Sequence, residues 1–298
     1  MTITNNILRT LALAGIAVCA LYARSALGDL LYSQDFESLS LGDLDGQDSF
    51  TAMSEAQVTS NDLTYNNGAV TIDGGSQCVT FSGLTPANNW VFNREFTEQT
   101  GAVYFSLLMT WTNQDQDDMF YFALSDDVHT STPCALGNSA GVNINQKGKF
   151  FARSRGNSSN DTTSSSCDKN GGQNTASAQF VVGCVSKSGS GNYDTLQIWA
   201  NPAAYAQGQP DITVRRDIGI AALDTFYCFS GASNENNETM RVDNIRIGTA
   251  WEDVLPTPPA PPPPSDDEPT PPSSSTSASP AARATRRRAP PMSPTAAS

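Results

Sequence analysis

Apolar and polar residues alternate with a period of two through most of the middle of the chain. In "AVYFSLLMTW", Val103, Phe105, Leu107, Met109 and Trp111 fall on one face, and Tyr104, Ser106 and Thr110 on the other. Successive side chains of an extended chain point to opposite sides, so this pattern predicts a half-buried strand. "MFYFALS" (119–125) follows the polar turn "TNQDQDD" and is expected as its hairpin partner. Further runs are "LLYSQDF", "GAVTIDG", "QCVTFSG", "GVNIN", "KFFARS", "AQFVVGCVSK", "DTLQIWA", "DTFYCFSG" and "TMRVDNIRIG", separated by Gly, Asn, Ser and Asp clusters. About a dozen short strands, with only "TAWEDVL" suggesting a helix, predict an all-β, two-sheet antiparallel sandwich. The segment "RGNSSNDTTSSSCDKNGGQNTASA" is expected as a long exposed loop.

"VDNIRIGTAWEDVLP" (242–256) marks where the folded part stops. Ile245 and Ile247 give its strand an apolar face, and Trp251 and Val254 turn back against the sandwich. Asp243, Glu252 and Asp253 are expected at the surface or in structural roles rather than in catalysis.

Both ends differ from this core. Residues 1–28 have one early cation, Arg9, then an apolar run from Leu11 to Ala23, then small residues near Ala26 and Gly28. That layout is expected of a secretory signal peptide, and the run is too short to span a bilayer. Residues 255–298 are almost entirely Pro, Ser, Thr and Ala and are expected to form a disordered, polyproline-like tail. Residues 29–254 are then one domain, exported to the outside of the cell or its surface.

The net charge is −13, and residues 29–254 are more acidic still, with 11 Lys+Arg against 27 Asp+Glu. Such a balance argues against nucleic acid and anionic membranes as partners, and no stretch predicts stable membrane insertion. Five cysteines follow the leader: Cys78, Cys134, Cys167, Cys184 and Cys228. In an exported chain this count predicts two disulfides and one free or intermolecular thiol. Cys134 and Cys167 lie in polar, loop-like sequence and are expected as one pair, with connectivity otherwise undetermined. No close CxxC spacing points to zinc.

Four stretches resemble one family. "DFESLSLGDLDGQDSF", "TGAVYFSLLMTW", "VVGCVSKSGSGNYDTLQIWANPA" and "VDNIRIGTAWEDVLP" are similar, in order, to segments of bacterial concanavalin A-like, laminin-G-like jelly-roll domains of exported proteins. The resemblance implies a concanavalin A-like jelly roll and a polysaccharide or glycoconjugate as partner. Cys184 stands where family members often have Lys. The chain has the proline run and "TRRR" found near Pro-Glu-Pro sorting signals, but no apolar helix between them.

The same fold family includes glucanases, so catalytic constellations need testing. An E-x-D-x-x-E strand, which would set three acids on one face, does not occur. The nearest pairs, Glu95 with Glu98 and Glu235 with Glu238, lack the middle Asp and lie in loop-like sequence. His129 is the only histidine, and no G-x-S-x-G elbow exists, so a Ser-His-Asp site has no support. Calcium is the one candidate cofactor. Asp115, Asp117 and Asp118 in "NQDQDD" offer alternating oxygen ligands, or form an ordinary solvated turn. Asp43, Asp45 and Asp48 in "DLDGQD" match the turn of the family pattern. Tyr104, Tyr121 and Trp199 occupy the polar phase of their strands, where they either stack on a glycan or pack under a covering loop. The reading that follows is a non-catalytic carbohydrate- or matrix-binding module, possible calcium assistance included. A polysaccharide hydrolase or lyase with an atypical site, and a structural surface protein without a small ligand, stay as alternatives.

Overall fold

The computed structural model describes residues 28–82, 90–112, 120–128, 137–145, 147–156, 162–170, 175–230 and 239–256. The N-terminal part contributes β1 (Leu30–Gln34), β2 (Gly42–Asp43), β3 (Thr51–Ala52), β4 (Ala56–Thr59), β5 (Thr64–Asn66), β6 (Thr71–Asp73) and β7 (Cys78–Ser82). The middle contributes β8 (Trp90–Gln99), β9 (Val103–Thr112), β10 (Phe120–Ser125), β11 (Ser139–Ile144), β12 (Lys149–Arg155) and β13 (Thr162–Asn170). Then come β14 (Thr175–Ser186), β15 (Thr195–Ala200), β16 (Ile212–Arg215), β17 (Leu223–Ser230) and β18 (Thr239–Gly248). The described residues contain no α-helix. "TAWEDVL" forms a 3-10 turn, Trp251–Val254.

These strands make the expected antiparallel jelly-roll sandwich. One sheet runs β16-β15-β14-β9-β18-β7-β4-β2, with β1 also paired to β18. The other runs β13-β12-β11-β10-β17-β8-β3, and β5-β6 is a separate hairpin. Val103, Phe105, Leu107, Met109 and Trp111 all enter the layer between the sheets, as their alternation requires. Phe105 meets Phe122 across that layer at 5.4 Å, and Phe122 stacks on Phe226 at 5.5 Å. Phe226, Phe50 and Phe92 continue the contact toward β8.

A second apolar layer lies on the far side of the nine-stranded sheet. Tyr65 and Ile72 of the small hairpin, Trp251, Val254 and Leu255 cover Leu108, Phe180, Val182 and Trp199 there. That far face is therefore buried, which explains why both phases of β9 and β14 are rich in apolar residues.

Four expectations change. β10 is not the hairpin partner of β9; it pairs with β11 and β17, so the connection crosses from one sheet to the other. Glu95 and Glu98 lie in strand β8 rather than a loop. Part of the Ser- and Thr-rich segment expected as a loop is the edge strand β13, held by its ladder to β12. The cysteines also differ: Cys78, Cys167, Cys184 and Cys228 are free. Cys134, the expected partner of Cys167, lies outside the described residues. Cys184 on β14 and Cys78 on β7 have two strands between them. Three ladder spacings put them about 14 Å apart, beyond the ~7 Å Cα limit for a disulfide. Cys228 faces the opposite layer, between the sheets. The three buried thiols pack as small hydrophobes.

Phe122→Ala should test the inter-sheet layer. Removing a fully buried ring that touches two others is expected to cost about 3–5 kcal/mol. Thermal melts should show a drop of roughly 6–20 °C; a change of a degree or so would mean that the layer reorganises around the gap.

Candidate functional site

The outer face of the seven-stranded sheet is polar and aromatic in a way the other face is not. Phe120, Phe122, Phe150, Ala152, Phe226 and Cys228 point to the core. Their strand neighbours point outward: Tyr121 and Ala123 on β10, Phe151, Arg153 and Arg155 on β12, and Tyr227 and Phe229 on β17. The ladders align these into rows. Asn143 lies between Tyr121 and Phe151, Gly141 between Ala123 and Arg153, and Arg155 is paired with Ser139. A Cβ on Gly141 would meet the Phe122 carbonyl at 1.9 Å, so only glycine fits this row.

Exposure grades across the face. Toward the β13 edge, Ser164 and Ser166 are exposed, and Phe151 and Arg153 are half-buried. Inward, Tyr121 and Tyr227 are buried with their rings edge-to-face at 5.9 Å. The Tyr227 hydroxyl donates to Ser139 Oγ at 2.9 Å, and the Tyr121 hydroxyl donates to the Arg153 carbonyl at 3.1 Å. The Arg153 guanidinium lies 5.9 Å from the Tyr121 ring centroid, within cation–π range. Burial pushes the Tyr121 hydroxyl up to about 12, against the pull of Ser139 and of both arginines, so it stays a neutral donor. Burial also pulls the Arg153 guanidinium down. Arg155 is only 6% exposed, and its Nε has no hydrogen-bond partner among the described residues. No carboxylate occupies the outward positions 121–125, 139–143, 151–155 or 225–229, so this stretch holds no acid pair of the glycosidase kind.

The three rings expected as one sugar platform are divided by the sandwich. Tyr104 and Trp199 lie on the far side of the nine-stranded sheet, and Tyr121 on the outer face of the other. Trp199 is 3% exposed, packs on Trp251 at 5.1 Å and donates its indole N–H to the Gly208 carbonyl at 2.9 Å. It is a core residue under a covering loop. Tyr104 is half-buried beside the same layer. Asp115, Asp117, Asp118 and His129 lie outside the described residues. The "DLDGQD" acids are engaged structurally: Asp45 accepts from the Ala52 N–H at 3.0 Å, and Asp48 accepts from the Tyr32 hydroxyl at 2.9 Å and pairs with Arg94 at 3.5 Å. Phe151, Arg153, Arg155 and Tyr227 were not singled out from the sequence. Their signal is present in "KFFARSR" and "DTFYCFS", where they take the phase opposite Phe150, Ala152, Phe226 and Cys228.

Asp243 is the second unusual group, and the expectation of a surface position fails for it. It is 0% exposed, and its Oδ2 has no partner among the described residues. The cause is a bulge in β18. Register shifts between Asp243 and Arg246, and Asn244 adopts φ 48°. Asn tolerates that left-handed backbone because its short side chain bonds locally; here it donates to the Asp73 carbonyl at 3.0 Å. Desolvation first, then the negative fields of Asp35, Glu37 and Asp73, push Asp243 up to about 9, while the Asn244 N–H opposes them. Glu37 is fully engaged, accepting from the Ser76 and Gln77 N–H groups at 2.6 Å each and from the Ser76 hydroxyl. No group of three or more His, Cys, Asp or Glu at metal-holding spacing exists among the described residues.

No protein-family model matches the chain, and no curated protein matches it in sequence. Solved structures similar to it include a β-1,3-glucanase from Mycobacterium marinum, 11% identical with TM-score 0.45, covering 74% of this chain and 99% of that one. The cellulose-induced protein Cip1 is 13% identical with TM-score 0.43, covering 74% and 97%. The binding domain of botulinum neurotoxin serotype C1 is 12% identical with TM-score 0.44, covering 76% and 50%. The chain thus spans about half the length of the botulinum chain that it matches.

The raised Asp243 acidity constant sets a direction for stability against pH. Between its ordinary 3.8 and about 9, the folded state holds a proton that the unfolded chain has released. In chelator, stability from this group is full below about pH 4 and is lost as pH climbs toward 9, by up to about 1.4 kcal/mol per pH unit. Asp243→Asn, which keeps the acceptor for Asn244, should flatten that decline in denaturant titrations across the window. Parallel declines in variant and wild type would remove Asp243 as its source.

Proposed function

We propose that this chain is an exported, non-catalytic carbohydrate-binding module, and that the glycan lies on the outer face of the seven-stranded sheet along β12 and β13. The half-buried Phe151 ring, flanked by Arg153 and Asn143 and by the exposed Ser166, is the observation that carries this reading. An aromatic ring presented beside hydroxyl, amide and guanidinium donors matches both halves of a sugar: its apolar C–H face and its ring of hydroxyls. The absence of carboxylates from the central outward positions favours binding over hydrolysis.

Calcium is proposed in a supporting place at Asp243, in addition to the expected Asp115, Asp117 and Asp118, which lie outside the described residues. The support is the buried carboxylate oxygen without a partner in a negative field, which a divalent cation would neutralise. Its role there is to fix the junction of β18 with its neighbours, away from the glycan face. At a hundredfold excess over its dissociation constant it should add about 2.7 kcal/mol of stability, and Asp243→Asn should abolish that increment.

A glycan array with the purified protein, paired with a reducing-sugar assay, tests the main reading. Phe151→Ala is expected to weaken binding to any retained glycan by at least about tenfold, because stacking contacts contribute on the order of 1 kcal/mol or more. Its far-ultraviolet spectrum should match the wild type, since the ring is half-exposed. Binding indifferent to Phe151→Ala moves the site elsewhere, and sugar release abolished by one carboxylate substitution makes the protein an enzyme.

A further inference from the structure

We infer that the chain has a second ligand site, on the opposite sheet, which takes an uncharged sugar unit. It is a cleft of about 620 Å³ between the small hairpin β5–β6 and the first half of β14. That volume falls within the range of small-molecule sites. The cleft exists because β14 outruns its neighbour: the β14–β15 ladder starts at Val181, so residues 175–179 have no β15 partner beside them. The hairpin settles on Phe180 through Tyr65, ring centroids 5.7 Å apart, and leaves the space beside that contact open. Asp62, Thr64, Asn66 and Ser177 line it and are all exposed, so a ligand enters directly from solvent.

The walls are fixed by amide side chains that spend their polar atoms on the protein. Asn201 donates to Gln179 Oε1 at 2.8 Å and accepts from the Phe180 N–H at 2.9 Å, and Gln179 donates to the Ser177 carbonyl at 3.1 Å. Asn67 donates to the Tyr65 hydroxyl oxygen and to the Pro202 carbonyl, both at 2.9 Å. The other lining groups keep their capacity. The side chains of Asp62, Thr64 and Ser177 make no hydrogen bond among the described residues. Asn66 uses only its Oδ1, on the Gly68 N–H at 2.7 Å, which leaves its amide N–H groups to donate. Tyr65 is the decisive group. It is 6% exposed, its oxygen accepts from Asn67, and its own proton goes to no acceptor among the described residues. A buried hydroxyl in that state costs stability until something accepts from it. Burial also holds the proton on, so the group stays a neutral donor.

This set of groups suits a sugar. Sugar hydroxyls donate and accept at once, while the ring oxygen only accepts. The cleft offers donors at Tyr65 and Asn66, an acceptor at Asp62, and hydroxyls that do either at Thr64 and Ser177. A carboxylate that takes two neighbouring hydroxyls makes charge-assisted bonds, stronger than neutral ones. No cation lines the cleft, so an acidic sugar would set its charge against Asp62 without compensation. Tyr65 is turned onto Phe180 and presents no open ring face, so hydrogen bonds rather than stacking orient the ligand. The cleft lies on the far side of the nine-stranded sheet, and Phe151 on the outer face of the other. The inference thus shares the ligand class of the carbohydrate reading but none of its residues, and it makes one molecule able to join two sugar chains.

Calorimetry with short neutral oligosaccharides of glucose, xylose, mannose and galactose, run on wild type and on Phe151→Ala, provides the test. Phe151→Ala should keep one site per molecule for at least one of them. In that background Tyr65→Phe, which removes only the hydroxyl, should weaken the remaining binding roughly 3- to 10-fold. Asp62→Ala should weaken it at least about tenfold. Both variants should melt within about two degrees of their parent, since one opens no cavity and the other is at an exposed position. Ser177→Tyr fills the cleft from an exposed position and should abolish binding there, which decides the matter if Tyr65→Phe melts early. The uronic-acid form of the same oligosaccharide should bind more weakly, and Asp62→Asn should narrow that gap. Residual binding indifferent to all three cleft substitutions would overturn the inference, and so would a charged oligosaccharide preferred over the neutral one. Loss of all binding in Phe151→Ala would overturn the second site and leave the first. Binding lost in the cleft variants but indifferent to Phe151→Ala would keep this site and remove the other, and no sugar binding by the wild type would overturn both.

Discussion

A strand has two hydrogen-bonding edges, and β18 has to serve three partners with them. One edge carries β9 along almost its whole length. The other carries β7 as far as Val242 and β1 from Ile245 onward. The handover falls on Asp243 and Asn244, and the local features of that region follow from it. The left-handed Asn244 lets the strand skip a register position. The skip turns Ile245 and Ile247 into the core although Val242 was also core-facing. Asp243 is trapped where three strand ends meet, facing the turns that carry Asp35, Glu37 and Asp73. Without the bulge, either β1 or the second half of β18 would present the wrong face to the sandwich.

Once β18 is placed, the inter-sheet layer aligns the rest. Phe105 on β9 meets Phe122 on β10, so the two sheets are tied at their centres by rings from consecutive strands that share no ladder. Phe226 then fixes β17 beside β10, and through Phe50 and Phe92 reaches β8. The outward positions of β10 and β17 pack into a small buried cluster of their own, Tyr121, Ala123, Tyr227 and Phe229, separate from the inter-sheet layer.

Much of this was legible from alternation alone. The runs containing Val103 to Trp111, Phe180 to Val185 and Ile245 to Ile247 announce strands and assign the faces correctly. What alternation does not encode is partnership: nothing in "MFYFALS" says that it crosses to the second sheet instead of folding back on β9. β8 was hidden because Arg94 and Glu95 interrupt its apolar phase, and Arg94 is tolerated there through Asp48 and the Tyr32 ring, which come from other elements. β13 was hidden because an edge strand of Ser and Thr has no buried face to mark it. The burial of Asp243 was invisible for the opposite reason: a single bulge shifts the phase, and no residue other than Asn244 signals it. Trp199 misled because the far side of its sheet is covered, so its outward phase is a second interior.

The four free thiols among the described residues bear on how the molecule relates to its surroundings. Three of them, Cys78, Cys184 and Cys228, are enclosed by strands, and burial holds their protons on, with Cys184 pushed up to about 12. Thiolates are the reactive species in exchange and alkylation, so these sulfurs are chemically silent while the sheets are closed. The sandwich therefore carries no covalent record of the redox conditions in which those strands assembled. Each enclosed sulfur becomes modifiable only when its own part of the sheet opens, so the order in which the three react would trace the sequence in which the sandwich comes apart.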